Sequence, residues 1–367
     1  MMQQSPQPPN FEAKPSQPQP QPLPLGLFDY LLPESAIAQH PMEPRDASRL
    51  MVLRSEDRPD HRRFVELPEL LNAGDLLLVN HTKVIPARLK VHKDTGGQVE
   101  LLLYEPVTGD RATATRWRAL ARPAKALVPG KRLHTAGGHT LTVVGREHDS
   151  VILDAPLPML EVLQQEGTLP LPPYLKDASH PSAQDAAAYQ TIFGDEPGAV
   201  AAPTASLHFT PQVMAQLEAR GVRVAQVLLH VGPGTFLPVR PENAQDVRGH
   251  AMHGEQYEIP QGTQELVRQT RAAGRRVVAV GTTSLRALET WWATGDATGI
   301  STLFVTPGYR FGCVDALVTN FHLPKSTLLM LVSAMAGRER ILSAYAEALA
   351  QGYRFFSFGD AMLIIDP

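Results

Sequence analysis

Three polar segments in the second half of the chain contain histidines that can exchange protons near neutral pH. His230 opens HVGPGTFLPV, His253 lies in GHAMHGEQYEI, and His322 lies in TNFHLPKSTLLMLVSA. Because the ordinary pKa of histidine is about 6.5, each imidazole can act as a general acid or base. His230, His253 and His322 are therefore the candidate catalytic residues.

The second of these segments also has a spacing that suits a metal site. His250, His253 and Glu255 form a His-x-x-His-x-Glu pattern, and imidazoles and carboxylates are common metal ligands. No second cluster at a recognised spacing completes a coordination shell, so we expect no metal here. Proton transfer or substrate hydrogen bonding is the favoured interpretation, and surface or capping histidines are the alternative.

Glycines and threonines follow two apolar, strand-like runs. VVAVGTTSLRALET (residues 277–290) predicts a strand, a turn and a helix whose first N–H groups attract a carboxylate, phosphate or ribose. In the alternative interpretation, one threonine merely caps the helix. HVGPGTF places two glycines where a ligand can approach the backbone closely. The binding candidates in these two segments are Gly232, Gly234, Thr235, Thr282, Thr283 and Arg286.

Two further segments concentrate short polar side chains. In APTASLHFT, Thr210 is a good N-cap for a predicted helix. TNFHLPKST lies at a predicted strand-to-helix junction, where Ser326 or Thr327 can cap the helix, but it has more polar groups than a cap requires. Its substrate-binding candidates are Asn320, Lys325 and Ser326. Cys313 has no neighbouring histidine in sequence and is assigned no role.

The elements that must position these residues change character along the chain. DLLLVN, ARLKVH, QVELLLYE, RWRALA, TLTVVGR and SVILD are separated by glycine and proline turn signals, without an intervening amphipathic helix. This pattern predicts a small antiparallel β-barrel or sandwich over residues 73–155. Residues 1–24 hold eight prolines and six glutamines, which predicts a disordered tail.

Helical patterns alternate with apolar strands after residue 155. We expect helices over 211–220, 263–273, 284–293 and 338–350, with strands at VRVAQVLLH and RVVAV. Such alternation is typical of an α/β layer, so residues 25–72 and 156–367 are predicted to form an α/β body.

Composition narrows the classes of protein. The 367 residues include one cysteine, which excludes an internal disulfide framework, and no apolar run approaches the roughly 20 residues of a membrane span. No basic segment followed by an apolar stretch marks a secretory signal, so we expect a cytoplasmic protein. We also expect a monomer rather than a stable oligomer.

Charge is distributed unevenly along the chain. Residues 111–146 carry eight lysines and arginines and no acidic residue, whereas the total formal charge is −3. A basic barrel on an acidic body suits a phosphate backbone, although a solvated basic face without a partner is the alternative. The candidate nucleic-acid contacts in this basic stretch are Arg116, Arg118 and Arg122.

Long strings of the sequence resemble the S-adenosylmethionine:tRNA ribosyltransferase-isomerase family of queuosine biosynthesis. They include FDYLLPESAIAQ, NHTKVIPARL, YQTIFGDEPGAVAAPTASLHFT, HVGPGTFLPV, VGTTSLRALE, VDALVTNFHLPKSTLLMLVSA and YRFFSFGDAMLI, and the match runs from about residue 28 to 365. The resemblance implies a β-barrel inserted in an α/β body. It also implies transfer and isomerisation of the ribosyl part of S-adenosylmethionine onto 7-aminomethyl-7-deazaguanine at the tRNA wobble position.

The implied products are epoxyqueuosine in tRNA, adenine and methionine, so S-adenosylmethionine is a consumed ribosyl donor. The chemistry needs a base for the carbon beside the sulfonium, a donor for departing adenine, and sites for the ribose and the methionine carboxylate. The three histidines suit the first two needs, and Thr282, Thr283 and Arg286 suit the carboxylate. Polar residues of APTASLHFT suit the ribose or base pocket, namely Thr204, His208 and Thr210, and Arg88 suits contact with tRNA or substrate. A non-catalytic RNA-binding homologue is the alternative function.

One departure from the family pattern bears on activity. His81 stands where the family is expected to carry an aspartate, so a largely neutral ring replaces an anion. Gly254, Pro233 and Ser206 also differ from the usual residues but lie in otherwise intact strings.

Overall fold

The computed structural model describes residues 21–55, 58–176, 178, 181–236 and 239–366. It has the α/β body and closed antiparallel β-barrel that the sequence predicts. Most of the proline-rich segment lies outside the described residues. Its last residues are bound to the body, because the N–H of Leu25 donates to Ala244 and the N–H of Val247 donates to Leu23.

The bounds of the elements are as follows. The strands are β1 (Arg49–Leu53), β2 (Asp60–Arg63), β3 (Leu76–Asn80), β4 (Thr82–Val84), β5 (Arg88–Lys93), β6 (Gln98–Pro106), β7 (Arg116–Arg122), β8 (Arg132–Thr135), β9 (Thr140–Glu147), β10 (Ser150–Asp154), β11 (Glu196–Ala199), β12 (Arg223–Leu229), β13 (Glu255–Glu258), β14 (Val277–Val280), β15 (Thr298–Ser301), β16 (Ala316–Asn320) and β17 (Ala361–Ile365). The helices are α1 (Leu67–Leu70), α2 (Met159–Glu166), α3 (Ala183–Ala188), α4 (Pro211–Ala219), α5 (Gln261–Ala272), α6 (Gly281–Thr294), α7 (Thr327–Ala336) and α8 (Arg338–Ala350).

Nine strands of the described chain form the central sheet of the body, in the order β15-β13-β12-β3-β14-β16-β17-β1-β2. The four strands β12, β3, β14 and β16 pair in parallel. Their carboxyl ends therefore share one edge of the sheet, the usual place for a ligand in an open α/β sheet. Buried apolar residues cover both faces of this sheet, because helices pack on each side.

Six strands of the described chain close into the barrel, in the order β10-β7-β6-β5-β8-β9. Neighbouring strands are antiparallel, and alternate residues point inward, as in β5, where Leu89 and Val91 are buried. Trp117 lies in the apolar interior of the barrel. The barrel falls between β3 and β12 in the chain, which makes it an insertion in the body.

One strand assigned to the barrel from sequence lies elsewhere. DLLLVN forms β3, which pairs with β12 and β14 at the centre of the body sheet. Every residue of β3 is buried, because both faces of this parallel strand are covered. The short strand β8, which the sequence pattern did not predict, pairs with β5 and β9 in the barrel.

Candidate active site

Two adjoining cavities lie at the carboxyl ends of the parallel strands. The first, here called the aromatic cavity, is lined by Tyr174, Tyr189, Asn320, Phe321, His322 and Phe356, among others. The second, here called the histidine cavity, is lined by Arg240, His250, Met252, His253, Glu255 and Arg286, among others. Thr282, Thr283 and Leu328 line both cavities, so the two share a wall.

The shared wall is built by the first turn of α6. Gly281 has a φ of 83°, a backbone conformation that favours glycine, and it turns the chain from β14 into the helix. Neither threonine is the helix cap, because the N-cap position is Val280, whose side chain makes no capping hydrogen bond. The Nδ2 of Asn80, at the end of β3, lies 3.3 Å from the Oγ1 of Thr283 and fixes this turn to the sheet.

His322 is fixed in the wall of the aromatic cavity. The Tyr30 hydroxyl donates to its carbonyl, its N–H donates to the Tyr345 hydroxyl at 3.0 Å, and its Nε2 lies 2.9 Å from the Oγ1 of Thr319. Burial lowers the pKa of His322 to about 3, because the charged imidazolium loses its water. The ring is therefore neutral and suited to hydrogen bonding.

Two other predicted histidines are buried behind the cavities. His230 follows β12, its Nδ1 lies 2.8 Å from the Oγ1 of Thr82, and burial and nearby Arg111 lower its pKa to about 3. His208 lies 2.8 Å from the Ser48 hydroxyl through Nδ1, and burial likewise lowers its pKa to about 3. Neither is among the residues that line the two cavities.

His253 lines the histidine cavity and is exposed to water. The turn that carries Gly234 packs against it, because a Cβ atom on Gly234 would lie 3.0 Å from the Cβ of His253. The N–H of Gly232 donates to Oε1 of Glu255 at 2.8 Å, which ties the same turn to β13. The glycine turn and the histidine segment therefore form one structural unit.

Arg286 and Glu255 form a buried ion pair in the wall of the histidine cavity, with side chains only 5% and 3% exposed. The Arg286 Nε also donates to the carbonyl of Leu303 at 3.0 Å, and Nη2 donates to that of Ser301 at 3.3 Å. The sequence analysis expected Arg286 to hold a substrate carboxylate. In the structure the carboxylate that it holds belongs to Glu255.

Several predicted site residues have other roles. Lys325 pairs with Asp29 at 2.8 Å and is half exposed, Ser326 caps α7, and Thr210 caps α4 and donates to Asp46. None of the three predicted residues lines either cavity. Thr204 does line the aromatic cavity, whereas the side chain of Thr235 lies outside the described part of the chain.

Known proteins resemble this chain along most of its length. The family model described as "Queuosine biosynthesis protein" matches residues 25–364. The S-adenosylmethionine:tRNA ribosyltransferase-isomerase of Anaeromyxobacter sp. (strain K) is 53% identical over 92% of this chain and 98% of its own length. This chain belongs to the queuosine biosynthesis family.

Further members agree with that assignment. The S-adenosylmethionine:tRNA ribosyltransferase-isomerase of Thiobacillus denitrificans is 52% identical over 92% of this chain and 96% of its own length. The crystal structure of S-adenosylmethionine tRNA ribosyltransferase from Thermotoga maritima has 38% sequence identity and a TM-score of 0.52, over 92% of this chain and 100% of that one. The resemblance, the fold and the enzyme class expected from the sequence are confirmed.

Most aromatic residues of the candidate site were not predicted from the sequence. Tyr174, Tyr189, Phe356 and Ser357 line the aromatic cavity. Phe356 has a φ of 76°, which is rare for a residue with a side chain, and such strain clusters at functional sites. The string YRFFSFGD resembles the family, but without structure its aromatic residues are indistinguishable from core residues.

The basic residues of the barrel lie apart from the two cavities, and most have acidic neighbours. Arg116 lies 3.3 Å from Asp154, and Arg118 contacts Glu105 and Glu147. Arg88, which lies 3.9 Å from Glu100, and Arg122 line a third cavity, together with Leu171, Pro173 and Pro233. The turn between β12 and the histidine segment thus reaches this third cavity through Pro233.

The described residues contain no group of three or more histidine, cysteine, aspartate or glutamate side chains placed to hold a metal ion. No helix among them has the length and apolar character needed to cross a membrane. His81, where the sequence departs from the family pattern, lies 2.5 Å from the Oδ1 of Asp195 through its Nδ1.

Proposed function

We propose that this chain transfers and isomerises the ribosyl group of S-adenosylmethionine onto 7-aminomethyl-7-deazaguanine in tRNA at the wall that the two cavities share. The products are epoxyqueuosine-tRNA, adenine and methionine. The joining of the cavities at Thr282 and Thr283 carries the proposal. The ribosyl group must contact first the adenine and methionine of its donor and then the amine of its acceptor. A wall shared by the two cavities allows both contacts without release of the ribosyl group from the protein.

The histidines divide the acid–base work according to their burial. His253 is exposed in the histidine cavity, so it can exchange protons with water and serves as the general base. His322 stays neutral at physiological pH because burial lowers its pKa to about 3, and it acts as a hydrogen-bonding group toward substrate. His230 lies outside the lining of both cavities, and its role is to join the end of β12 to β4 through Thr82.

The first turn of α6 supplies the anion site for the methionine carboxylate. The helix has 14 residues, and its positive end lies at the shared wall beside the hydroxyls of Thr282 and Thr283. Arg286 adds positive charge nearby but is already paired with Glu255. Its role in the proposal is to position the β13 segment that carries His253.

The barrel is the docking surface for tRNA in this proposal. Its strands, β5 to β10, carry Arg88, Arg116, Arg118 and Arg122, and phosphate contacts need no sequence-specific geometry. We further propose that the enzyme works as a cytoplasmic monomer without a metal ion.

One assay separates this function from its alternatives. The protein is incubated with S-adenosylmethionine and tRNA that carries 7-aminomethyl-7-deazaguanine, and released adenine is measured against unmodified tRNA. We expect release only with the modified tRNA. Tight tRNA binding without release supports a non-catalytic RNA-binding homologue, and release without tRNA contradicts both interpretations.

A further inference from the structure

We propose that Asn320 recognises the exocyclic amine of the adenine of S-adenosylmethionine in the aromatic cavity, and that His208 is the positioning residue that orients its amide. This inference rests on the proposed function and assigns the base subsite within it. It follows from the side-chain amide of Asn320, whose nitrogen has two hydrogen-bond partners and whose oxygen has none.

The two ends of the Asn320 amide differ in their partners. Its Nδ2 donates to the carbonyl of Phe356 at 3.1 Å and lies 3.2 Å from the Nε2 of His208. Its Oδ1 is buried and has no hydrogen-bond partner, although the residue lines the cavity and is 3% exposed. A buried acceptor without a partner costs free energy, which a ligand donor in the cavity would recover.

His208 helps to fix the orientation of the Asn320 amide. Its Nδ1 lies 2.8 Å from the Ser48 hydroxyl, and a neutral ring that donates there leaves Nε2 as an acceptor. Only the NH₂ end of Asn320 can donate to that acceptor and to the Phe356 carbonyl. Turning the amide over would place its oxygen against the carbonyl oxygen, so the orientation is set by both neighbours.

The backbone that supplies this carbonyl is itself unusual. Phe356 holds a φ of 76°, and its N–H donates to the carbonyl of Phe321 at 3.2 Å. Its ring packs edge-on against Tyr174 with centroids 4.1 Å apart. The strained residue therefore contributes both an aromatic wall to the cavity and the acceptor that orients Asn320.

The chemistry of the cavity favours a neutral planar base with an amine donor. Among the described residues, its lining includes four aromatic side chains and no lysine, arginine or carboxylate. The histidine cavity instead includes the barrel residue Asp149 in its lining, with Arg240 3.7 Å from it, so this cavity lies where a nucleotide of tRNA docked on the barrel would arrive. Adenine of the donor carries no phosphate, so we assign it to the aromatic cavity.

The test compares S-adenosylmethionine with its inosine analogue, in which a carbonyl replaces the exocyclic amine. Methionine release in the presence of modified tRNA measures kcat/KM for both donors. We expect the unaltered enzyme to favour the adenosyl donor by about 10²-fold or more, because the analogue brings an acceptor to Oδ1. In Asn320→Ala this ratio should fall to near one.

Variants of His208 test the positioning role. His208→Leu removes the acceptor for the amide and should lower the donor ratio at least tenfold, whereas His208→Gln keeps an acceptor and should retain most of it. Asn72→Ala, on an exposed asparagine, is the matched control and should leave the ratio unchanged. Because each ratio compares two donors on one protein sample, loss of folded protein cancels.

Several outcomes would overturn the inference. An unchanged donor ratio in Asn320→Ala is one, and a change confined to the KM for tRNA is another, since it would place the acceptor base in this cavity. If Asn320→Ala does not fold, an unchanged donor ratio in His208→Leu would overturn the inference instead. Absence of tRNA-dependent turnover in the unaltered enzyme would instead contradict the proposed function.

Discussion

The ion pair between Arg116 and Asp154 lies at the surface of the barrel, whereas the pair between Arg286 and Glu255 in the wall of the histidine cavity is buried. Arg116 and Asp154 in the barrel are 51% and 36% exposed, but Arg286 and Glu255 are almost fully enclosed. Water and salt screen the attraction within an exposed ion pair. Its arginine can therefore leave the carboxylate and bind a phosphate at little cost in free energy. A buried ion pair cannot separate in this way, because each charge would remain in the protein interior without water or a partner.

The same contrast applies to polar groups in general. Around the cavities, His208, Asn320 and His322 are buried and bonded to specific neighbours. Such groups define one geometry, which the transfer of a ribosyl group requires. The barrel instead offers charge spread over exposed strands, which suits a polyanion that binds by electrostatics. Substitutions should therefore have large effects on stability or turnover in the body and small effects in the barrel.

The largest effect is expected from Arg286→Ala. The substitution leaves Glu255 buried without its partner, so we expect the free energy of unfolding to fall by about 3–5 kcal/mol. Denaturant unfolding followed by circular dichroism measures the change. The matched control, Arg116→Ala, breaks an exposed pair of the barrel and should cost about 0–1 kcal/mol.

A double substitution sharpens this result. Glu255→Gln with Arg286→Met removes both charges and keeps an Oε1 acceptor for the N–H of Gly232. We expect most of the lost stability to return, because no charge remains buried. Equal losses in Arg286→Ala and Arg116→Ala would refute the contrast between the two regions.

The next effect concerns catalysis. His253→Ala removes the proposed general base from the histidine cavity, so kcat for adenine release should fall at least about 10²-fold, or about 2.7 kcal/mol in barrier height. The melting temperature should change little, because the side chain is exposed. His92→Ala, on an exposed face of β5, is the barrel control. Near-normal turnover in His253→Ala would exclude it as the base.

Acid should destabilise the body through its buried histidines. The pKa values of His208, His230 and His322 are about 3 in the folded protein, against about 6.5 when unfolded. Between these values the unfolded chain binds protons that the folded protein does not. Stability therefore falls as pH drops below 6.5, by about 1.4 kcal/mol per pH unit for each histidine.

Denaturant unfolding at pH 7, 6 and 5 measures this slope. His230→Gln should reduce this slope by up to about 1.4 kcal/mol per pH unit, since one buried histidine is lost, whatever the variant does to the free energy of unfolding at pH 7. His92→Gln in the barrel should leave the slope as it is. An identical slope in His230→Gln would show that this histidine does not couple folding to pH.

Local signals in the sequence sufficed for the turn beside the cavities and for two helix caps. Residues 277–290 form a strand, a turn and a helix as predicted, and Thr210 and Ser326, which were also predicted to bind substrate, are N-caps that line neither cavity. Which sheet a strand joins depends on residues far away in the sequence. The unbroken apolar run of β3 is nevertheless the pattern of a buried parallel strand, unlike the alternation in β5.

The aromatic cavity illustrates what no local signal reveals. Tyr174 and Phe356 are 182 positions apart in the printed sequence and meet only because the body closes between them. Large aromatic residues are usually core residues, so their composition alone does not indicate a cavity. The neutral state of His322 is equally a property of burial, which the sequence does not state.

The smallest effect is expected in the barrel. Arg122→Ala removes one exposed cation from β7, so tRNA affinity should weaken modestly and the slope of log affinity against log salt should fall by about one. Arg118→Ala should change the slope less, because Arg118 already contacts Glu105 and Glu147. Filter binding across a salt series measures both, and Arg220→Ala, at the end of α4, is the body control. A slope that none of the barrel substitutions alters, including joint charge reversal of Arg116, Arg118 and Arg122, would place the tRNA-docking surface elsewhere.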